Sequence, residues 1–270
     1  MSSPEPVAPA QPAPARSAPV APAQPAPARS APVGPARPAP ARAASEQLVG
    51  GEDGPGHRAH GPRILSLARF DREELLRRLR QTRLRGFGKA RPYADATLEL
   101  LPAVEPALLS PAQRYVLRPT IARLTELRAA LMCRGVDLFS LDGGAYIRTS
   151  GEPRETIPVI PPIVEESRAP DGRSVLLIGD GLHRVAAARA LGVPISVVCV
   201  TGVPAIYPYY ARPLAGGWSE VVELEELPDE FQKKSYRLPR SYKSLFRDFD
   251  AVFPGVQKQR KRSNPAHLRR

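Results

Sequence analysis

The chain has 270 residues, including 33 prolines and 20 glycines, and its formal net charge is +12. It contains no run of 18 apolar residues and no leader pattern of basic then apolar residues, so we expect a cytoplasmic protein that makes no membrane contact. The two cysteines, Cys133 and Cys199, are too few for a disulfide framework and have no metal-ligand spacing.

The positive charge is concentrated at the ends of the chain and in one helix. Residues 1–44 carry a net charge of +3, and the last thirteen residues, Lys258–Arg270, carry +6. A further ten basic residues against three acidic ones lie within residues 63–91. This distribution predicts non-specific affinity for nucleic acid through the basic tails, and not a uniformly basic surface.

The N-terminal segment is a repeat without large apolar side chains. Thirteen residues, VAPAQPAPARSAP, occur at Val7–Pro19 and again at Val20–Pro32. Such a sequence cannot offset the entropy cost of ordering its backbone. We predict a disordered tail over residues 1–61, a folded domain over 62–257 with helical N-terminal and aromatic C-terminal extensions, and a basic disordered tail over 258–270.

Two helices and a strand are predicted in the first half of the domain. Asp71 and Glu74 form a capping-box pattern, which predicts a helix over Asp71–Arg85 ended by Gly86. Weak alternation of apolar and polar residues predicts a short strand over Thr97–Val104. A second helix is expected to begin at Ser110, to kink or restart at Pro119, and to end at Gly135.

From Ile157 the pattern becomes strand, turn, strand, loop, helix, strand. An extended segment, Ile157–Glu166, contains prolines that favour a sheet edge. A tight turn at Asp171-Gly172, a buried strand, a helix and a final strand follow, and the last three are predicted at Val175–Ile178, Val185–Leu191 and Ile195–Val200. The loop between the buried strand and the helix, Gly179–Arg184, carries the most informative pattern in the sequence.

This loop has the properties of a phosphate-binding site. Gly179 and Gly181 allow the backbone to approach a ligand closely, and the helix N-terminus favours an anion. His183 and Arg184 are candidate donors to phosphate oxygens, and Asp180 is a candidate ligand for Mg²⁺. The alternative is a plain strand-to-helix corner in which Asp180 caps the helix and His183 bonds a backbone carbonyl.

The segment GDGLHRVAAARALGVPISVVCV, preceded by PPIVEESRAPDGRSVLLI, resembles the core of the ParB/sulfiredoxin-like superfamily. The resemblance covers about residues 157–200 and implies an α+β fold around a small nucleotide-binding core. Leu182 stands where sulfiredoxins carry their catalytic Cys, which disfavours sulfinic acid reduction. Partition-type ParB proteins have two arginines where this chain has Gly181 and Leu182, and no helix-turn-helix pattern follows.

Two functional hypotheses follow from the resemblance. The free-serine kinase branch implies a nucleotide-dependent phosphotransferase or hydrolase acting on a small hydroxyl substrate, with ATP, ADP or CTP and Mg²⁺ as cofactors. Asp180 would then serve the metal, and Glu165 or Glu166 would be the catalytic base. The alternative is a nucleotide-regulated ParB-like DNA-binding protein without a helix-turn-helix.

The C-terminal part combines basic and aromatic residues. An apolar stripe predicts an amphipathic helix over Ser241–Phe253 that packs on the core. Its lysines, arginines and tyrosines are also typical of nucleic-acid surfaces.

Overall fold

A computed structural model describes residues 62–150 and 156–253, and within them the fold is α+β, as predicted. The predicted tails, residues 1–61 and 258–270, lie outside the described residues. The helices are α1 (Arg72–Leu79), α2 (Arg118–Met132) and α3 (Leu182–Ala190). The strands are β1 (Ile64–Phe70), β2 (Thr97–Val104), β3 (Leu109–Ser110), β4 (Tyr115–Leu117), β5 (Gly144–Thr149), β6 (Ile157–Val159), β7 (Ile163–Arg168), β8 (Ser174–Asp180), β9 (Ile195–Thr201) and β10 (Val222–Leu224).

A mixed five-stranded sheet in the order β2-β9-β7-β8-β3 forms the centre of the domain. β7 and β8 form an antiparallel hairpin, and β7 runs parallel to β9. Gly172, at φ +85°, makes the hairpin turn that Asp171-Gly172 predicted. The predicted segment Ile157–Glu166 divides into two strands. β6 contains Pro158 and lies at a sheet edge, as predicted, whereas β7 lies in the middle of its sheet, and Pro161 and Pro162 precede it in the link from β6.

Both faces of this sheet are buried, and the alternation of side chains along β9 assigns each face its own core. Val197 and Cys199 face a core that includes α3. Val198 and Val200 face a second core that includes Leu75 of α1. The sheet thus separates two hydrophobic layers.

Two smaller sheets flank the central one. β1, β5 and β6 form an antiparallel sheet with β5 in the middle. β4 and β10 pair in parallel and connect the start of α2 with the acidic segment after residue 220. The sequence pattern had predicted neither β1 nor β5 as a strand.

The first predicted helix is shorter than expected. Asp71 caps α1 by accepting the backbone N–H of Glu74 at 2.8 Å, but the helix ends at Leu79 instead of continuing to Arg85. Residues 84–86 instead pair with the C-terminal segment, where the N–H of Gly86 donates to Ser244 O at 3.0 Å. A Cβ on Gly86 would lie 2.1 Å from Ser244 Cβ, so glycine is required for this close approach.

The second and the C-terminal predicted helices also need correction. Ser110 ends strand β3, and α2 begins only at Arg118, with Pro119 in its first turn where a missing N–H costs little. Gly135, at φ +68°, follows the end of α2, as predicted. The segment Ser241–Phe253 is not an α-helix. It contains two 3₁₀ turns, Tyr242–Leu245 and Phe249–Ala251, because its backbone is committed to pairing with residues 83–86.

Among the described residues, no helix is long and apolar enough to cross a membrane.

Candidate functional site

In the structure, the predicted phosphate loop Gly179–Arg184 is a tight corner in which only Gly181 separates strand β8 from helix α3. Gly179 and Asp180 are the last residues of β8, Gly181 turns the chain at φ +86°, and α3 begins at Leu182. A Cβ on Gly181 would lie 2.9 Å from Pro162 Cβ and 3.0 Å from Pro162 Cα. Both the positive φ and this close packing require glycine.

Gly181 is the N-cap of α3, so no side chain caps this helix. The alternative in which Asp180 is the cap is therefore wrong. The first N–H groups of an α-helix have no partner within the helix, and they carry the positive end of its dipole. The corner therefore has the uncapped helix N-terminus on which the prediction of an anion site was based.

Asp180 and Arg184 form an ion pair across the first turn of α3, with Arg184 Nη2 2.8 Å from Asp180 Oδ2. Arg184 Nη1 also donates to the carbonyl of Ile160, in the link between β6 and β7. Burial lowers the pKa of Arg184, and the Asp180 carboxylate opposes that shift. The pair closes one side of the corner and fixes the position of both side chains.

His183 connects the two longer helices. Its Nε2 accepts the backbone N–H of Leu117 at 3.0 Å, just before α2 begins, and the ring of Tyr115 approaches it edge-on. The imidazole must be neutral at Nε2 to accept this bond. Burial lowers the pKa of His183, in agreement with a neutral ring.

Glu165 is the centre of a buried polar network on the face of β7 opposite α3. The side chain of Glu165 is 2% exposed, and that of Arg247 is 1% exposed. Arg247 donates Nε to Oε1 at 2.9 Å and Nη2 to Oε2 at 2.8 Å, while the hydroxyl of Tyr93 donates to Oε1 at 2.5 Å. Arg247 also donates to the carbonyls of Tyr207, Pro208 and Leu245.

The two glutamates predicted as bases occupy different environments. Both oxygens of Glu165 accept hydrogen bonds from Arg247 or Tyr93 inside the buried network. Glu166 is exposed and accepts the hydroxyl of Ser174 at 2.8 Å. Glu166 does not line the cavities beside Asp180.

Two cavities meet at Asp180. One, of about 260 Å³, is lined by apolar side chains such as Leu124 and Val159 together with Asp180 and Arg184. The other, of about 100 Å³, is lined by Gly179, Asp180, Arg247 and neighbouring aromatic residues. Asp180, Phe249 and Asp250 belong to the walls of both cavities.

The outer wall of these cavities comes from the C-terminal segment. Phe249 and Asp250 lie in its last 3₁₀ turn, and Asp250 Oδ2 is 3.1 Å from Arg85 Nη2. Sequence reasoning missed these residues and also missed Tyr93 and Arg247 as partners of Glu165. Arg247 is 82 positions from Glu165, and no local pattern signals such a pairing.

The described residues contain no group of three or more His, Cys, Asp or Glu side chains that could hold a metal ion. The carboxylate of Asp180 is engaged by Arg184, so these residues do not form a protein-only magnesium site. Mg²⁺ commonly binds one or two carboxylates together with substrate phosphates. The role of Asp180 towards Mg²⁺ stays a prediction.

Comparison with known proteins gives a family match. The family model described as the ParB CE domain matches residues 74–222, just over half of the chain. The match includes the hairpin, the corner and α3, and it ends before the C-terminal segment that supplies Phe249 and Asp250. No curated protein and no solved structure matches the chain.

Proposed function

Because the chain belongs to the ParB CE domain family, we propose that it is a nucleotide-binding protein whose phosphate site is the corner between β8 and α3. The single observation that carries this proposal is the N-terminus of α3, which has no side-chain cap and opens beside a cavity lined by Asp180 and Arg184. Helix N-termini of this kind bind phosphate through backbone N–H groups and the helix dipole.

The cavity of about 260 Å³ has one region suited to the base of a nucleotide and another suited to its phosphates. Its mainly apolar walls suit a nucleobase, whereas Arg184 and the first turn of α3 suit phosphate oxygens. Its outer wall, Phe249 and Asp250, lies beyond the part of the chain that matches the family. In this proposal the family core supplies the phosphate site, and the C-terminal segment completes the pocket.

Phosphoryl transfer to a small hydroxyl substrate is a further step that stays a prediction. Glu165 is engaged by Arg247 and Tyr93, and Glu166 lies away from the corner, so neither supports the role of base there. Asp180 is the predicted catalytic carboxylate that lines the proposed nucleotide cavity. Release of ADP from ATP, compared between wild type and Asp180→Asn, tests this step.

Calorimetric titration of ATP, ADP and CTP, with and without Mg²⁺, tests the nucleotide site. We expect Arg184→Ala to weaken binding by about tenfold to a hundredfold, since a charge-assisted hydrogen bond contributes about 1.5–3 kcal/mol. Arg173→Ala, at the far end of β8, is the matched control and should bind as wild type does. The absence of binding by any of the three nucleotides, or unchanged affinity in a folded Arg184→Ala variant, would contradict the proposal.

Asp180→Asn gives a second test that does not depend on removing the buried guanidinium. A carboxylate beside the phosphates repels them, so without Mg²⁺ the variant should bind a nucleotide at least as tightly as wild type. With Mg²⁺, loss of the metal-dependent increase in affinity would assign the ion to Asp180. Weaker binding without Mg²⁺ would place the phosphates elsewhere.

A second candidate function is binding of single-stranded nucleic acid, and one observation favours it. Four half-exposed aromatic rings follow one another, with centroids 6.3 Å apart for Tyr210 and Tyr236, 3.9 Å for Tyr236 and Tyr242, and 5.6 Å for Tyr242 and Phe246. The ammonium group of Lys234 lies 4.7 Å from the centroid of the Tyr210 ring. Rings with nearby cations are the usual platform for stacking bases.

Binding of a fluorescent oligothymidine to residues 62–253 tests this candidate without the predicted tails. We expect Tyr242→Ala to weaken binding by roughly fivefold or more, because stacking on an aromatic ring contributes about 1–3 kcal/mol per base. Phe87→Ala changes an exposed ring outside this row and serves as the control. Equal affinity of the two variants would exclude the aromatic row as the binding surface.

A further inference from the structure

A third cavity, of about 440 Å³, lies where the β7–β8 hairpin meets the segment after β9. Its volume falls within the range of about 300–1,000 Å³ that is usual for small-molecule pockets. It is distinct from the cavities that Asp180 lines, although Tyr209 contributes to both this cavity and the smallest one. Its polar lining residues are Glu165, Glu166, Ser167, Arg168, Ser174 and Arg237. Side chains alternate along β7, so Glu165 and Ser167 share the face on which Arg237 lies, whereas Glu166 and Arg168 point to the opposite face.

Arg237 is a cation without a carboxylate partner in the described part of the chain. Its Nη2 donates to the neutral hydroxyl of Ser167 at 3.1 Å. Its Nε is buried and has no hydrogen-bond partner among the described residues. Such a group needs an explanation, because leaving a buried donor unpaired costs free energy.

Other arginines with low exposure satisfy this requirement with acids. Arg247 is paired with Glu165, and Arg184 is paired with Asp180. Arg237 has no such ion pair among the described residues, and another cation, Arg212, lies near enough to act on its charge. Burial and Arg212 both lower the pKa of Arg237, and Glu165 acts in the opposite direction.

The remaining groups of the cavity suit an anion that carries several oxygens. Because Ser167 accepts from Arg237, its hydroxyl hydrogen is left to donate to a ligand. The negative charge of Glu165, which is on the same face of β7 as Ser167, is compensated by Arg247.

We propose that this cavity binds the phosphate group of a small phosphate monoester, with Arg237 as the main charge partner and Ser167 as an additional donor. An arginine fork matches two oxygens of a phosphate at once, and phosphate still has a third oxygen for the serine hydroxyl. The proposal concerns a site separate from the α3 corner and does not depend on nucleotide binding there.

Titration calorimetry at constant ionic strength, with inorganic phosphate and with glycerol 3-phosphate, tests the site. We expect saturable binding by wild type and about a tenfold or greater loss of affinity in Arg237→Met, since the lost interaction is charge-assisted. Arg240→Met removes the same charge from an exposed position outside the cavity and should leave the affinity unchanged. Equal affinities in the two variants, or binding that does not saturate, would overturn the proposal.

Arg237→Lys keeps the test decisive even where Arg237→Met fails to fold. Lysine keeps the positive charge but cannot form the two parallel hydrogen bonds of the arginine fork, so inorganic phosphate should bind about threefold or more weakly. Unchanged phosphate binding in a folded Arg237→Lys variant would show that the Arg237 guanidinium does not hold the anion, and would refute the proposal.

Discussion

A neutral histidine joins the starts of α2 and α3, and this makes the stability of the domain depend on pH. Burial lowers the pKa of His183 in the folded state below the value of about 6.5 expected in the unfolded chain. The unfolded state therefore binds the proton more tightly. The stabilisation is fully present above pH 6.5 and is lost as the pH falls towards the folded-state pKa, with a slope of up to about 1.4 kcal/mol per pH unit.

We expect the free energy of unfolding in urea to decrease between pH 7 and pH 5, and His183→Gln to remove most of that decrease. Glutamine offers an oxygen to the Leu117 N–H but does not titrate. The other three histidines, His57, His60 and His267, lie outside the described residues. An identical pH slope in wild type and His183→Gln would show that His183 is not the titrating group.

The Glu165–Arg247 pair predicts a large effect of a single substitution. Arg247→Met leaves a carboxylate buried without its cation, which costs about 3–5 kcal/mol. Arg240→Met, at an exposed position, should change stability by less than about 0.5 kcal/mol. Urea denaturation of both variants at pH 7 gives the comparison, and a loss below about 1 kcal/mol in Arg247→Met would mean that water or another group compensates Glu165.

At the residue scale, the sequence predicted features that depend on near neighbours. The glycine corner, the Asp71 cap and the turn at Gly172 all follow from bonds within a few residues. The partner of Glu165 did not follow, because a carboxylate in a strand gives no sign of which distant arginine it meets. The role of Glu165 as a base stays a prediction, and its contacts with Arg247 and Tyr93 in the fold tie distant segments together.

At the element scale, the C-terminal segment is predicted to stabilise the domain although it lies outside the family match. Phe253 is 0% exposed and belongs to the core that contains Leu75, Leu79 and Tyr93. Phe253→Ala should cost about 3–5 kcal/mol through lost burial and a cavity. Phe87→Ala, at a ring that is 49% exposed, is the matched control, and thermal melting of both variants measures the difference.

Equal melting temperatures for Phe253→Ala and Phe87→Ala would mean that the segment rests on the domain without contributing to its core. The apolar spacing in Ser241–Phe253 correctly indicated buried positions, since Leu245 and Phe253 are core residues. The same spacing wrongly predicted an α-helical backbone, because a helical period of apolar residues does not show that the segment forms hydrogen bonds with residues 83–86. Strand β2 was predicted from its alternation of apolar and polar residues, and strands β8 and β9 from consecutive apolar residues, because both patterns are visible in the local sequence.

At the scale of the whole molecule, we expect the two ends of the chain to contribute very differently to the stability of the domain. Residues 1–44 contain no large apolar side chain to bury. Removal of residues 1–61 should leave the melting temperature of the rest within error. Removal of residues 241–270 should instead lower it strongly, because Arg247 and Phe253 are lost. Differential scanning calorimetry compares the two deletions, and a drop of several degrees in the first would show that the repeat docks on the domain.

The Glu165–Arg247 pair also sets an order of events during synthesis. Glu165 leaves the ribosome 82 residues before its partner, a delay of about 4–16 s at the usual rate of elongation. During that interval the central strand β7 carries an uncompensated acid on a face that the finished fold buries. We therefore expect the nascent sheet to keep this face in contact with water until the segment that carries Arg247 has emerged, and the domain to finish folding only then.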